Sequence, residues 1–334
     1  MHSTHFASPS ACRRLRRVAS ILLLGFAVQS PAFAQAPAQP AAHCPPVAQA
    51  PDPAKIPELM QKARDRGMLW RITKGEHSSY LYGTLHVGKL DWLFPGPRTA
   101  QALRETDIWA LELDPTDMAT LERMNAYMAK QPAPKLPDAL SARLAKQRAA
   151  ACVDEATFGS LHPVMQTMVL QILSARAEGL DPAYAQESFL AGMARGMQRP
   201  LVALETPEHQ LDFVFPKNSA DQLEMIDSGL KQLENGKARP LVQRLSEVWA
   251  GGDLARIENY EQWCDCVSSD KERAYLQRLN DGRNPQLAER IDALHAEGKK
   301  VFAAVGALHM SGAKALPKLL AERGYKVERI EFKP

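Results

Sequence analysis

The sequence lacks the short motifs that mark several large enzyme classes. It contains no Gly-x-Ser-x-Gly nucleophile elbow, no glycine-rich phosphate-binding loop and no dinucleotide-binding fingerprint. Each of these motifs holds one particular nucleophile or phosphate group. Their absence therefore argues against serine hydrolases of the elbow type, nucleotide-dependent enzymes and dehydrogenases.

The sequence also lacks a large excess of charge of either sign. The chain has 41 Lys and Arg against 38 Asp and Glu, a formal net charge of +3. Four arginines in residues 1–34 account for this surplus, and without them 37 basic and 38 acidic residues give a net charge of −1. No basic patch therefore favours nucleic acid as a partner.

Long apolar runs are missing as well. The longest candidate, Val18–Val28, is about 11 residues, whereas a membrane-spanning helix needs about 20. It follows the basic cluster 13–17 and precedes Ala32-Phe-Ala34, a small-x-small cleavage site. This pattern predicts a Sec-type signal peptide over 1–34, cleaved after Ala34, and a periplasmic or secreted protein with no membrane span after cleavage.

Cysteine is scarce, with five in the whole chain. Cys12 lies within the predicted signal peptide, so four remain: Cys44, Cys152, Cys264 and Cys266. An even number in an oxidising compartment is typical of two disulfides, for which three pairings are available. Because a direct Cys264–Cys266 bond would close a tight ring, we expect each of these two to pair with a distant cysteine.

The remaining chain divides by composition and periodicity. Residues 35–57 are rich in Ala, Pro and Gln and are predicted to be a disordered linker. Residues 58–334 alternate strand-like apolar runs with helical patterns, which predicts an α/β domain with a central mixed sheet and flanking helices. Helical periodicity is continuous from about 117 to 197, which predicts a mainly helical insertion.

One short pattern occurs twice. Tyr80–Gly88 reads Tyr-Leu-Tyr-Gly-Thr-Leu-His-Val-Gly, and Ala304–Gly312 reads Ala-Val-Gly-Ala-Leu-His-Met-Ser-Gly. Each copy is an apolar strand followed by Gly-x-x-His and a further glycine. Because glycine has no side chain, another part of the chain can approach closely beside the histidine. The two copies lie more than 200 residues apart, and we interpret His86 and His309 as two ends of one site.

Two carboxylates occur in similar places. Glu112 interrupts the apolar run 108–114, and Glu205 ends the run 201–205. A carboxylate in such a strand is costly unless it is paired or bound to a metal, and open α/β sheets bind ligands at the carboxyl ends of their strands. Two imidazoles and a carboxylate are a common ligand set for a hydrolytic divalent metal. Taken singly, each residue also fits a structural role as a core histidine, a helix cap or an ion-pair partner.

Several stretches resemble the TraB/PrgY/GumN family. These are Leu69-Trp-Arg-Ile with Tyr80 to His86, Ala110-Leu-Glu-Leu-Asp114, Leu204-Glu-Thr-Pro-Glu-His-Gln210, Gly282-Arg-Asn284 and Val301 to Gly312 running into Gly324-Tyr-Lys-Val327. They occur in the family's order over residues 68–332. One departure is Ala315, where the GumN-like pattern usually has a glycine.

The resemblance implies an erythromycin esterase/ChaN-like fold and kinship with the Tiki metalloproteases, with manganese or cobalt as typical metals. His86 and His309 then become metal ligands, Glu112 a ligand or general base, and Glu205 a further member of the site. Arg283 and Asn284 are implied to bind or polarise the substrate.

The sequence as a whole predicts an exported metal-dependent hydrolase, most simply a peptidase, that uses Mn, Co or Zn on a peptide or another small polar substrate. Two alternatives stay open at this stage. One is a non-catalytic periplasmic binding protein for a haem-like or peptide ligand, and the other is an accessory protein of polysaccharide export. The sequence does not determine the oligomeric state.

Overall fold

A computed structural model describes residues 44–267 and 269–332. Its centre is one six-stranded sheet. The strands are β1 (Met68–Lys74), β2 (His77–Thr84), β3 (Ile108–Leu111), β4 (Leu201–Ala203), β5 (Val301–Gly306) and β6 (Lys326–Ile330), arranged in the order β4-β3-β5-β2-β1-β6. The predicted mixed sheet with flanking helices is confirmed.

Fourteen α-helices are found in the described part of the chain. They are α1 (Ile56–Gln61), α2 (Pro97–Arg104), α3 (Met118–Lys130), α4 (Asp138–Ala150), α5 (Glu155–Phe158), α6 (Pro163–Leu173), α7 (Gln186–Gly196), α8 (Pro207–Val214), α9 (Ser219–Glu234), α10 (Ala238–Ala250), α11 (Leu254–Glu258), α12 (Asp270–Asp281), α13 (Asn284–Ala296) and α14 (Leu316–Glu322). None of them combines the length and apolar character that crossing a bilayer requires.

The antiparallel part of the sheet begins with a hairpin. Met68 pairs with Gly83 and Lys74 with His77, so β1 and β2 are joined by a two-residue turn, Gly75-Glu76. Gly75 has a φ of +65°, which glycine adopts without steric cost. In the sequence, the polar stretch Lys74-Gly-Glu-His77 between two strand-like runs predicts a turn with His77 as a solvated loop residue. The turn is found, but the prediction for His77 is wrong. His77 starts β2 and its ring stacks on His295, with the two centroids 3.9 Å apart.

The parallel part of the sheet consists of β2, β5, β3 and β4. Every residue of β3 and of β5 is buried. Such strands need apolar side chains on both faces, which explains the near-continuous apolar runs in the sequence. Since the four strands are parallel, their carboxyl ends meet at one edge of the sheet.

Five helices, α3 to α7, lie between β3 and β4 in the sequence. A second apolar core forms where α4 and α6 meet α9, with Leu144, Leu170 and Ile226 among its buried residues. This core is separate from the larger one around the sheet, which contains Trp109 and Phe302. Helices α4 and α6 thus pack with α9 away from the sheet, whereas the buried apolar residues of α7 belong to the core around the sheet.

The disulfides correct one prediction. The pairs are Cys44–Cys152 and Cys264–Cys266, so the expectation that Cys264 and Cys266 each bond to a distant cysteine is wrong. Asp265 between them adopts a φ of +50°, a left-handed conformation that aspartate tolerates better than most residues. That backbone bend brings the two Cα atoms to 5.0 Å, within the usual range for a disulfide.

The stretch before α1 is attached to the α3–α7 segment at two points. Cys44 is bonded to Cys152, and the hydroxyl of Tyr184 accepts a hydrogen bond from the amide of Gln49 at 2.7 Å. The same hydroxyl donates to the Gln49 carbonyl at 2.9 Å. The predicted signal peptide, 1–34, and residues 35–43 of the predicted linker lie outside the described residues.

Candidate active site

Four polar side chains follow the ends of the four parallel strands. His86 comes two residues after β2, Glu112 directly after β3 and Glu205 two residues after β4. His309 lies in the 3-10 turn Ala307–Met310 that follows β5. The sheet therefore places these four of the six predicted site residues at one edge, although they are as much as 223 positions apart in the sequence.

Three of these side chains, those of His86, Glu112 and His309, lie close to Gly306, the last residue of β5. Its amide donates a hydrogen bond of 2.7 Å to Glu112 Oε1. A Cβ at this position would lie 3.2 Å from that oxygen, 3.5 Å from His86 Nε2 and 3.6 Å from His309 Cδ2. The glycine leaves space among these groups that a larger residue would fill, which is a physical reason for a glycine three residues before the histidine.

Arg283 joins the two glutamates. Its guanidinium forms ion pairs with both Glu112 and Glu205, and its Nη1 donates to His309 Nε2 at 3.2 Å. Gln210 adds a bridge, because its Nε2 lies 3.1 Å from Glu112 Oε2 and 3.2 Å from Glu205 Oε1. Arg283 and the two glutamates are each at most 6% exposed, so the charges of two buried carboxylates are balanced partly by one buried cation.

Asn284, the first residue of α13, fixes the ring of His309. Its Oδ1 accepts a hydrogen bond of 2.5 Å from His309 Nδ1, and its Nδ2 donates to the carbonyls of His309 and Lys314 at 3.2 and 2.8 Å. We assign the tautomer from these partners: the Nδ1 of His309 carries the proton, and its Nε2 carries a lone pair directed into the site.

Glu187, which sequence reasoning did not single out, has the corresponding place beside His86. It lies in the first turn of α7 and is 8% exposed, and its Oε1 is 3.1 Å from His86 Nδ1. Nothing in the sequence around it distinguishes it from an ordinary first-turn glutamate. Its burial could be inferred only from its spacing to the buried Leu190, Ala191 and Ala194 of the same helix.

The two histidines differ in their electrostatics. Glu187 raises the pKa of His86 to about 9, whereas burial lowers the pKa of His309 to about 4. For the carboxylates, burial by itself raises the pKa of Glu112, but Arg283 and then the two histidines outweigh it and hold that pKa well below its ordinary value. Burial raises the pKa of Glu205. At neutral pH, Glu112 is therefore ionised and His309 is neutral.

The donor set can be tested for its fit to a divalent metal. In residues 44–267 and 269–332, no three His, Cys, Asp or Glu side chains are placed ready to hold an ion, and the cation between the carboxylates is Arg283. The donor chemistry nevertheless fits. Both histidines have Nδ1 held by an oxygen acceptor, as metal-binding histidines usually do, and both rings lie with Glu112 around Gly306.

Access to the site is from the side of His86. Its side chain is 64% exposed, whereas His309, Glu112, Glu205 and Arg283 are almost completely covered. A molecule that approached from solvent would meet the imidazole of His86 first, with the buried carboxylates behind it.

Comparison with known proteins assigns this chain to a family. Residues 68–329 match the TraB/PrgY/gumN family, and since they make up most of the chain, the protein belongs to that family. The resemblance inferred from the motifs is confirmed. The chain is also similar to the Metalloprotease TIKI1 of Danio rerio, with 25% identity over 311 residues that cover 78% of this chain and 62% of the relative. The chain thus spans less than two thirds of that relative's length.

No solved structure matches this protein. The predicted likeness to the erythromycin esterase/ChaN-like group accordingly stays a prediction.

Proposed function

We propose that this member of the TraB/PrgY/gumN family is an exported metal-dependent hydrolase that acts on peptide bonds. The observation that carries the proposal is the convergence of His86, Glu112 and His309 around Gly306, at the carboxyl ends of the parallel strands of the mixed sheet. The similarity to a protein named as a metalloprotease supports the reaction class. The two disulfides support export, because such bonds persist mainly in oxidising compartments.

The residues that would hold the metal are His86, His309 and Glu112, with Glu205 completing the site. A bound divalent ion supplies Lewis acidity, which lowers the pKa of a water molecule and polarises a carbonyl group. The chain's own contribution is orientation: Glu187 and Asn284 hold the Nδ1 atoms, so that each Nε2 faces the site. To serve as ligands, His309 Nε2 would have to give up its hydrogen bond from Arg283, and His86, whose pKa is raised, would have to lose a proton.

The carboxylates and Arg283 control charge and protons at the site. Glu112 is kept ionised beside the two imidazoles, which suits it as a ligand or as a base that takes a proton from water. Arg283 and Gln210 fix the carboxylate oxygens in place through ion pairs and hydrogen bonds. The substrate, a peptide or another small polar molecule, would approach from the exposed side of His86.

Metal content and activity test this proposal together. The protein covering residues 35–334 should bind about one equivalent of Mn²⁺, Co²⁺ or Zn²⁺ in equilibrium dialysis and should cleave members of a peptide library. His86→Ala, His309→Ala and Glu112→Gln should each lose both properties and still unfold cooperatively. His77→Ala, which alters a half-buried histidine at the opposite end of β2, should keep both.

Wild-type protein that takes up none of these ions on titration would refute the proposal. A second candidate, a non-catalytic binding protein, would then gain. The ion pairs of Arg283 favour that candidate, since they already neutralise part of the charge that a metal would otherwise balance. It predicts a bound organic ligand in protein purified without metal.

A further inference from the structure

We infer that Glu187 is a positioning residue for His86, and that the segment 181–187 at the end of the α3–α7 insertion builds this half of the site. The inference rests on the proposed function only in so far as His86 acts as a ligand. The contact itself, between a buried carboxylate and a solvent-exposed imidazole, is a property of the fold.

Backbone and side-chain bonds hold the loop of His86 against segment 181–187 on both sides of the histidine. After it, Gly88 and Asp181 exchange two backbone hydrogen bonds of 3.2 and 2.9 Å. Before it, the amide of Leu85 donates to Gln186 Oε1 at 3.1 Å, and the amide of Gln186 donates to the Leu85 carbonyl at 3.5 Å. The histidine therefore sits in a short loop that is fixed at both ends to a different part of the chain.

The fit between the loop and segment 181–187 is close. A Cβ at Gly88 would lie 2.3 Å from the Tyr184 carbonyl oxygen, a distance that real Cβ atoms do not show. Asp181 in turn is buried and paired with Arg176 at 2.7 Å. The second glycine of the motif is thus explained by the approach of segment 181–187, and that segment is itself anchored.

Glu187 completes this arrangement. Both of its carboxylate oxygens are shielded from solvent, and a buried carboxylate is costly unless a partner of opposite charge or a hydrogen-bond donor is present. His86 Nδ1, at 3.1 Å, is such a partner. Holding Nδ1 leaves Nε2 on the side of Gly306, where Glu112 and His309 also lie. This contact selects the nitrogen of His86 that faces the site.

The role assigned to Glu187 is the counterpart of that of Asn284. Asn284 belongs to α13, next to the last strands of the sheet, whereas Glu187 belongs to the helical insertion. Each half of the site is therefore oriented by a different helix, with an anionic acceptor for the exposed histidine and a neutral one for the buried histidine.

Metal affinity is the first measurement. Competition with a fluorescent chelator should show that Glu187→Ala weakens Co²⁺ or Mn²⁺ binding by about 10- to 100-fold. Glu187→Gln retains the shape and one acceptor oxygen, so it should weaken binding less. Glu234→Gln is the matched control, because Glu234 is also paired with a basic side chain on a helix but lies away from the site, and it should leave the affinity unchanged. All variants are checked for cooperative unfolding.

A second measurement does not require metal. In metal-free protein labelled with ¹⁵N-histidine, ring signals are assigned through His86→Ala and His309→Ala. Glu187→Ala and Glu187→Gln should shift the ring-nitrogen signals of His86 and leave those of His309 in place. Asn284→Ala should do the reverse.

The two measurements separate the possible failures. Unchanged His86 signals in both Glu187 variants would overturn the inference whatever the metal result. Shifted signals with wild-type metal affinity would also overturn it, because orientation would then not matter for binding. If wild-type protein binds no metal, the proposed function fails, and the ring signals alone decide whether Glu187 orients His86.

Discussion

The two copies of Gly-x-x-His have nearly the same sequence and opposite surroundings. His86 is exposed to solvent and paired with the anionic Glu187, whereas His309 is buried between the neutral amide of Asn284 and the cationic Arg283. The pKa of the first is raised and that of the second is lowered. The comparison shows that the motif determines where a histidine lies, while residues outside the motif determine its charge.

The largest expected effect is a loss of stability on replacing Arg283, which contacts the buried histidine, His309. Arg283→Met should lower the free energy of unfolding by about 3–5 kcal/mol, because it leaves Glu112 and Glu205 buried without their cation. Denaturant titration measures this loss. Arg143→Met is the control: Arg143 also pairs with two carboxylates, Asp227 and Glu234, but all three are about one third exposed. It should cost about 1 kcal/mol or less. Equal losses in the two variants would contradict the burial argument.

A smaller effect is expected at Gly306, the glycine of the second copy, which lies near both histidines. Gly306→Ala places a methyl group 3.2 Å from Glu112 Oε1, so the surrounding groups must shift, and we expect a loss of about 1–3 kcal/mol. Metal affinity should fall as well, because the same methyl group lies near both histidines. Gly192→Ala, in α7 with no atom within 4 Å of the new methyl group, should instead be neutral or stabilising by up to about 1 kcal/mol. A Gly306→Ala variant that kept both its stability and its metal affinity would show that the groups are less closely packed than described.

The smallest expected effect is on how the stability of the metal-free protein depends on pH through His86 and His309. For His86, the folded pKa of about 9 lies above the ordinary 6.5, so its contribution to stability is complete below pH 6.5 and is lost as the pH rises through about 9. For His309, the folded pKa of about 4 lies below 6.5, so its contribution is present above pH 6.5 and is lost as the pH falls through about 4. An NMR titration should find the two midpoints on opposite sides of 6.5, and coincident midpoints would remove the contrast.

Much of the fold was predictable because its signals are local. The continuous apolar runs of β3 and β5, the hairpin turn at Gly75 and the helical periodicity of the insertion each depend on neighbours in the sequence. Glu112 and Glu205 stood out for the same reason, since a carboxylate in an apolar run is unusual.

What could not be predicted depends on contacts between distant segments or on a single backbone angle. Glu187 has the sequence context of a surface helix residue, and only the approach of the His86 loop makes it part of the site. The Cys264–Cys266 bond depends on the left-handed conformation of Asp265, which composition and spacing do not reveal. His77 was placed in a loop because a turn precedes it, whereas its stacking partner, His295, is 218 residues away.

The position of β5 has a consequence for how the chain acquires its structure. This strand lies between β2 and β3, although it follows both by about 200 residues. Until residues 301–306 are available, the β1–β2 hairpin and the β3–β4 pair cannot join, and each has an unpaired apolar edge to which another chain can add. A nascent or truncated chain that ends before residue 301 is therefore open to aggregation, and it also lacks one of the two histidines. Synthesis of the last tenth of the chain closes the sheet and completes the site in the same step.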